Sequence, residues 1–283
     1  MRHDVVVTKL APTMRVMTWN LWWRFGPFEQ RLPAIIDTMR QVDADVLCLQ
    51  EVWSNNKRDV ADEIAAALDM HAVRTDPVLW NGESFGNAIL SRWPIERVAS
   101  LPIPNAEGID GHRRVVAASV DTPWGAWPFA STHIDHRFDA SAARQLQVQR
   151  LLELSSEWRG DPISDLPLIV GADLNAVPDT DEIRLLTGRS PGVPGIVFSD
   201  VWEQVGNGAG HTWRAENPYS ADSAWPNRRL DYLLVSWPRP KPVGNPTRAW
   251  NVATGPVDVD GEQVWASDHC GVVADFITPS ESP

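Results

Sequence analysis

Residues able to hold a hard cation or move a proton recur at the edges of apolar runs. Asn20 closes the run Met14–Asn20, and Glu51 follows Val46–Gln50. Asp173 and Asn175 stand in Gly171-Ala172-Asp173-Leu174-Asn175, directly after Leu168-Ile169-Val170. Asp231 lies in Arg229-Leu230-Asp231-Tyr232, and Asp268 and His269 lie in Ser267-Asp268-His269. Carboxylate and amide oxygens beside imidazoles at strand mouths point to a Mg²⁺-assisted phosphate site.

Taken singly, these residues have ordinary readings too. Glu51 alone reads first as a solvated charge at a loop start. As a metal ligand, it would answer the cost of a carboxylate at the mouth of a buried strand. Asn20 beside it can serve as an oxygen ligand or a phosphate donor. Gly171 permits a tight strand exit, after which Asp173 and Asn175 project to one side and can orient a water. An Asx turn explains the same pair equally well. Asp268 can ligate metal and His269 can donate to a phosphoryl oxygen, with Asp231 fixing its tautomer. His133, at the end of Phe129–Thr132, can supply a second phosphate donor. His71, His136 and His211 read as solvated loop residues. Arg113 and Arg114 precede a strand and can form a phosphate clamp, although a solvated strand end is an equal reading.

The elements that must position these groups follow from periodicity. Phe28–Val42, Arg58–Leu68 and Asp139–Glu157 carry apolar residues at helical spacing, the last through Leu146, Val148, Leu151, Leu152 and Leu154. Asp179–Leu186 is a short helix and Ser199–Gln204 a helical turn. Strands are expected at Met14–Asn20, Val46–Gln50, His71–Thr75, Ser84–Ser91, Ile95–Leu101, Arg113–Asp121, Ala126–Thr132, Leu166–Val170, Leu230–Ser236, Thr247–Thr254 and Val272–Ile277. Pro102–Gly111, Gly206–Asn227 and the acidic stretch Val257–Asp260 read as loops. With these strands, about four helices and no fixed repeat, we expect one α/β domain of two packed sheets with outer helices. It spans residues 14–277, between a disordered lead-in (1–13) and a short tail (278–283).

Composition narrows the function. The chain has 283 residues and a formal charge of −12. That balance argues against a broad basic surface holding nucleic acid by its phosphates. Cys48, inside an apolar run, reads as a core thiol, and no motif makes Cys270 a nucleophile. No leader or membrane span is evident, so a cytoplasmic location is expected. The 15 tryptophans can line both core and cleft.

Thr18-Trp19-Asn20, Leu49-Gln50-Glu51, Gly86-Asn87-Ala88-Ile89-Leu90-Ser91-Arg92, Ser131-Thr132-His133, Gly171–Asn175, Arg229–Tyr232 and Ser267–His269 occur in this order. In that ordered set the chain resembles the endonuclease/exonuclease/phosphatase superfamily. The resemblance implies a four-layer α/β/β/α sandwich. It implies that Asn20, Glu51 and Asp268 surround Mg²⁺ (or Mn²⁺), and that Asp173 positions or deprotonates the attacking water with help from Asn175. It implies that His133 and His269 donate to the scissile phosphate, with Asp231 orienting His269. Asn87, Arg113 and Arg114 complete the expected substrate-binding set. Abasic-site endonucleases of the superfamily carry an acid at the position of Trp22 and a tyrosine at that of His133, so this chain looks more like the other branches.

The leading expectation is a Mg²⁺-dependent phosphodiesterase or phosphatase acting by in-line water attack on a small molecule, lipid head group or nucleic acid. A nuclease with a local groove of Arg113, Arg114, Arg137, Arg228 and Arg229 is the alternative. A scaffold relative without activity is the third reading, disfavoured by the intact acid and histidine set.

Overall fold

The computed structural model describes residues 13–80, 82–105, 113–225 and 227–280. The expected lead-in, apart from Thr13, lies outside the described residues, as do most of loop 102–111 and the last three residues of the tail.

In chain order the elements are β1 (Thr13–Asn20), α1 (Phe28–Val42), β2 (Val46–Ser54), α2 (Val60–Leu68), β3 (His71–Arg74), β4 (Leu79–Trp80), β5 (Glu83–Ser91), β6 (Ile95–Pro102), β7 (Arg114–Thr122) and β8 (Gly125–His133). They continue as α3 (Ser141–Trp158), β9 (Ile169–Asp173), α4 (Asp181–Leu186), β10 (Val197–Asp200), α5 (Val201–Val205), β11 (Asp231–Trp237), β12 (Pro246–Val252), β13 (Val257–Val259), β14 (Glu262–Val264) and β15 (Gly271–Ile277). The first large sheet runs β12-β15-β1-β2-β5-β3, with β4 on β5; the second runs β10-β11-β9-β8-β7-β6. Both sheets are mixed, with β1 parallel to β2 and β8 parallel to β9.

The strands read as unbroken apolar runs because both faces of each sheet are covered. Along β1 and β2, Val16, Val46 and Cys48 point into the core between the sheets, while Met17, Leu47 and Leu49 point outward under α1 and α2. On the other sheet, Val170 and Ala172 pack under α3 and α4, while Ile169 faces the inter-sheet core. Three apolar layers between four structural layers give the α/β/β/α sandwich expected from the motifs.

Local differences from the sequence reading have physical causes. Leu146 is exposed rather than part of the buried stripe of α3. Val257–Val264 forms a hairpin rather than a loop; Asp260 and Gly261, both at positive φ, make the two-residue turn. The Val197–Asp200 segment pairs with β11 as a strand before α5 begins. There Asp200 caps the helix by accepting from the amides of Trp202 and Glu203. Gly171 is not a strand exit. It lies mid-strand in β9, where an added Cβ would stand 2.4 Å from Cys48 Cβ and 2.9 Å from Thr18 Cβ. The glycine therefore sets how closely the two sheets approach.

Gly171→Ala should lower stability by about 1–3 kcal/mol, the usual cost of overpacking. The midpoint of denaturant unfolding, with an unchanged slope, checks this.

Candidate active site

The two sheets end at a common edge, and strand register places the site there. His133, Asp173 and Asp231 are directly opposite one another across β8, β9 and β11. Residues opposite one another share a face, and by the alternation of β9 that face is the one turned to the first sheet.

On the first sheet, Asn20 ends β1, but β2 does not stop at Glu51. It runs on to Ser54 through a register shift between Leu49 and Val52. Strict alternation would send residue 51 outward with Leu47 and Leu49. Instead Glu51 adopts φ 52°, a left-handed conformation that is costly for a side chain with a Cβ. The bulge re-aims its carboxylate into the cleft. There Glu51 Oε1 accepts from Asn20 Nδ2 at 3.3 Å and lies 3.8 Å from His133 Nδ1.

Asn20 differs from expectation. Its Oδ1 accepts from the amide of Trp22 at 2.9 Å, and its Nδ2 donates to Asp173 Oδ2 at 2.9 Å. The Nδ2 group thus links two carboxylates as a donor, while Oδ1, a carbonyl oxygen with two lone pairs, has only one of those lone pairs engaged. Asp173 Oδ1 accepts from the amide of Asn175 at 2.9 Å, an Asx turn that carries Asn175 past the strand end at φ 46°. Asn175 does not project at period two with Asp173. Its Nδ2 lies 3.2 Å from Ile134 O, which it can only donate to, and 2.9 Å from His133 Nε2. His133 Nε2 therefore accepts and Nδ1 carries the proton. That Nδ1–H is buried and, among the described residues, has no hydrogen-bond partner. Burial, together with the charge of Arg113, holds His133 well below the usual histidine range, in its neutral form.

His269 is the opposite case. Its Nδ1 lies 2.8 Å from Asp231 Oδ2 and its Nε2 3.8 Å from Asp173 Oδ2. Burial opposes its charge, but Asp231, Asp173 and Asp268 outweigh burial and raise its pKa well above the ordinary value. Asp173, Asp231 and His269 place ligand-type atoms within 4.8 Å of one another. The Asp231–His269 hydrogen bond accounts for two of these three groups and engages Asp231 Oδ2.

Glu51 and Asp268 are the carboxylates left without such a partner. Burial and then the neighbouring Asp268 push Glu51 up to about 7. Burial pushes Asp268 up to about 6 against the pull of His269 and Arg31. Two acids held away from ionisation by burial, and further by Asp268 acting on Glu51 and Asp231 acting on Asp268, form an oxygen-donor set suited to a divalent cation.

The substrate-binding set divides. Arg113 turns towards the cleft. Its Nη1 is buried and, among the described residues, has no partner; Glu51, Asp173 and Asp135 act on it. Arg114 turns the other way, donating to Ser100 Oγ at 2.7 Å and Asp76 Oδ2 at 2.6 Å. Asn87 joins the sheets by donating to Arg114 O at 2.8 Å. Of the arginines in the alternative groove, Arg137 is paired with Asp135 and Arg229 with Asp200.

Arg31 was not singled out by the sequence, because on an amphipathic helix it reads as a polar-face residue. It is fully buried and donates to five carbonyls, those of Leu21, Trp22, Trp23, Phe25 and Ala266. It thereby ties the segment after Asn20 to the segment before Asp268. Ser267 Oγ strengthens the same joint by donating to Asn20 O at 2.7 Å.

A family model, the Endonuclease/Exonuclease/phosphatase family, matches residues 17–269. The chain belongs to this family. Its members act on phosphate esters, so the family defines the chemistry more closely than the substrate. A structure of Danio rerio TDP2 with a single-strand DNA product superposes with a TM-score of 0.74 at 18% identity, covering 94% of this chain and 99% of that one. The human Nocturnin catalytic domain gives 0.69 at 20% identity, covering 95% and 96%. An endonuclease/exonuclease/phosphatase from Beutenbergia cavernae gives 0.69 at 23%, covering 94% and 72%. The Escherichia coli uncharacterized protein YbhP is 25% identical over 177 residues, 58% of this chain and 67% of that protein. No helix among the described residues is long and apolar enough to cross a membrane.

Arg31→Met should destabilise the fold by roughly 3 kcal/mol or more, because it strands several buried carbonyls. It should also weaken Mg²⁺ binding, since the segments bearing Asn20 and Asp268 lose their common anchor. Thermal denaturation with and without Mg²⁺ reads both effects.

Proposed function

We propose that this protein is a divalent-cation-dependent phosphoesterase, using Mg²⁺ or Mn²⁺, that hydrolyses its substrate by direct water attack. The observation that carries this reading is the division of labour at one edge. Glu51 and Asp268 are acids in need of a cation, while His269, His133 and Arg113 offer donors to an anion. A cation held by Glu51 and Asp268 would neutralise charge on a phosphoryl oxygen.

The chain's own residues supply the rest. Burial and the neighbouring Asp231 raise Asp173 to about 6, which leaves it ionised at neutral pH yet able to take a proton from a water. Asn20 and Asn175 fix its two oxygens. Asp231 keeps His269 protonated, so His269 Nε2–H is free to donate to a phosphoryl oxygen. His133 Nδ1–H and Arg113 Nη1 provide further donors in a buried setting, where such bonds are strong. No covalent intermediate is required: burial pushes the thiols of Cys48 and Cys270 up to about 12 and about 11, so neither is a nucleophile at neutral pH.

With Arg114, Arg137 and Arg229 engaged elsewhere, the arrangement favours a compact phosphoester over long duplex DNA. The test is turnover of bis(4-nitrophenyl) phosphate, a phosphomonoester and supercoiled plasmid with Mg²⁺ or EDTA. Activity should require the metal and leave the plasmid intact. Asp173→Asn and His269→Ala should each lower kcat by about 10²–10⁴-fold without loss of fold. Absence of turnover on every ester, or full activity of Asp173→Asn, would contradict the reading.

A further inference from the structure

Beside the acid cluster lies a patch that the hydrolytic chemistry does not use. Phe138, in the loop after β8, and Trp225, in the segment leading to β11, are 53% and 64% exposed. Their rings meet at 5.5 Å between centroids with a 48° tilt. Lone exposed apolar residues such as Leu146 are ordinary. Two large exposed rings held against each other are not.

Arg228 joins them. Its guanidinium carbon lies 4.6 Å from the Phe138 centroid and 5.8 Å from that of Trp213. Its Nε donates to Trp225 O at 3.0 Å, which holds the cation to the aromatic pair. Among the described residues it forms no ion pair, unlike Arg137 and Arg229. The patch is continuous with the catalytic edge: the Trp213 ring stands edge-on to His269 at 4.9 Å. Asp173 acts on Arg228 electrostatically.

We propose that Phe138, Trp225 and Arg228 form a subsite for a flat aromatic ring carried by the phosphoester substrate, a nucleoside being the biological form of such a group. The proposal rests on the phosphoesterase reading above. Ring faces stack on planar groups, and a guanidinium without a carboxylate both stacks and attracts a phosphate linked to the ring. An alkyl chain would make no use of that cation, and two rings are too small a surface to cover one.

The test compares AMP with ribose 5-phosphate, which differs only in lacking the base, and with phenyl phosphate, a ring without a nucleoside. Binding is measured by equilibrium dialysis with Mg²⁺, using Asp173→Asn in every protein to keep the esters intact. AMP should bind about tenfold more tightly than ribose 5-phosphate, the effect of one base stack. Phe138→Ala and Trp225→Ala should each remove most of that preference. Phenyl phosphate binding as tightly as AMP would assign the subsite to rings in general, and weaker binding to nucleosides. Equal binding of AMP and ribose 5-phosphate, or a preference that survives both substitutions, would overturn the proposal. A protein that prefers AMP yet hydrolyses no phosphoester keeps the subsite and loses the hydrolytic reading. One that hydrolyses without the preference does the reverse.

Discussion

Gln50 is the joint on which the site depends. It is fully buried between the sheets, and its Nε2 reaches Ser131 Oγ at 2.9 Å, Thr18 Oγ1 and Cys48 O at 3.2 Å, and Gly171 O at 3.3 Å. Those partners lie on β1, β2, β8 and β9, strands of both sheets. A polar side chain in so apolar a seam is tolerable only when its hydrogen bonds are made. They are made only when the sheets sit in one register. Ser131 Oγ adds a bond to Leu49 O at 2.9 Å. Directly beyond this seam the same four strands deliver Asn20, Glu51, His133 and Asp173. The spacing set by Gly171 and the register set by Gln50 together determine where the acids meet.

The price of the arrangement is electrostatic. Glu51, Asp173 and Asp268 are held out of water and near one another, and each rises above its ordinary pKa. Arg31 moderates the charge but has no freedom to neutralise it, because its donors are given to backbone carbonyls. The left-handed backbone at Glu51 adds local strain of the kind that concentrates at functional sites. Such a site is least stable when empty and ionised, which is the state a cation would relieve.

Much of this was legible in the chain. Helix α1 was readable to its ends, because its apolar spacing is regular and Asp43 adopts the left-handed cap that stops it. The order of the acid and histidine motifs pointed to the family and to the four layers. The hairpin at Asp260-Gly261 was missed although that dipeptide is a strong turn signal; its flanking strands are only three residues each. Glu51 was placed correctly at the cleft for the wrong reason, as a strand end, since a bulge leaves no mark in an apolar run. The roles of Arg31, Gln50 and the Asn20 amide were not legible. Each is decided by which partners the fold brings to it, Ala266 to Arg31, Ser131 and Gly171 to Gln50 and Asp173 to Asn20, and residue type alone does not name them. Arg113 and Arg114 looked equivalent, and as chain neighbours at the start of β7 they turn to opposite sides.

The most direct measurement is calorimetric titration of Mg²⁺ at about pH 6.5 in two buffers of different ionisation heat. Below its raised pKa of about 7, Glu51 is largely protonated, and Asp268, at about 6, partly so. Binding should therefore release protons there. The release should vanish near pH 8, where both acids are already ionised, and fall sharply in Glu51→Gln. Mg²⁺ binding without proton release at the lower pH, or no binding at all, would contradict the assignment of Glu51 and Asp268 as the cation's ligands.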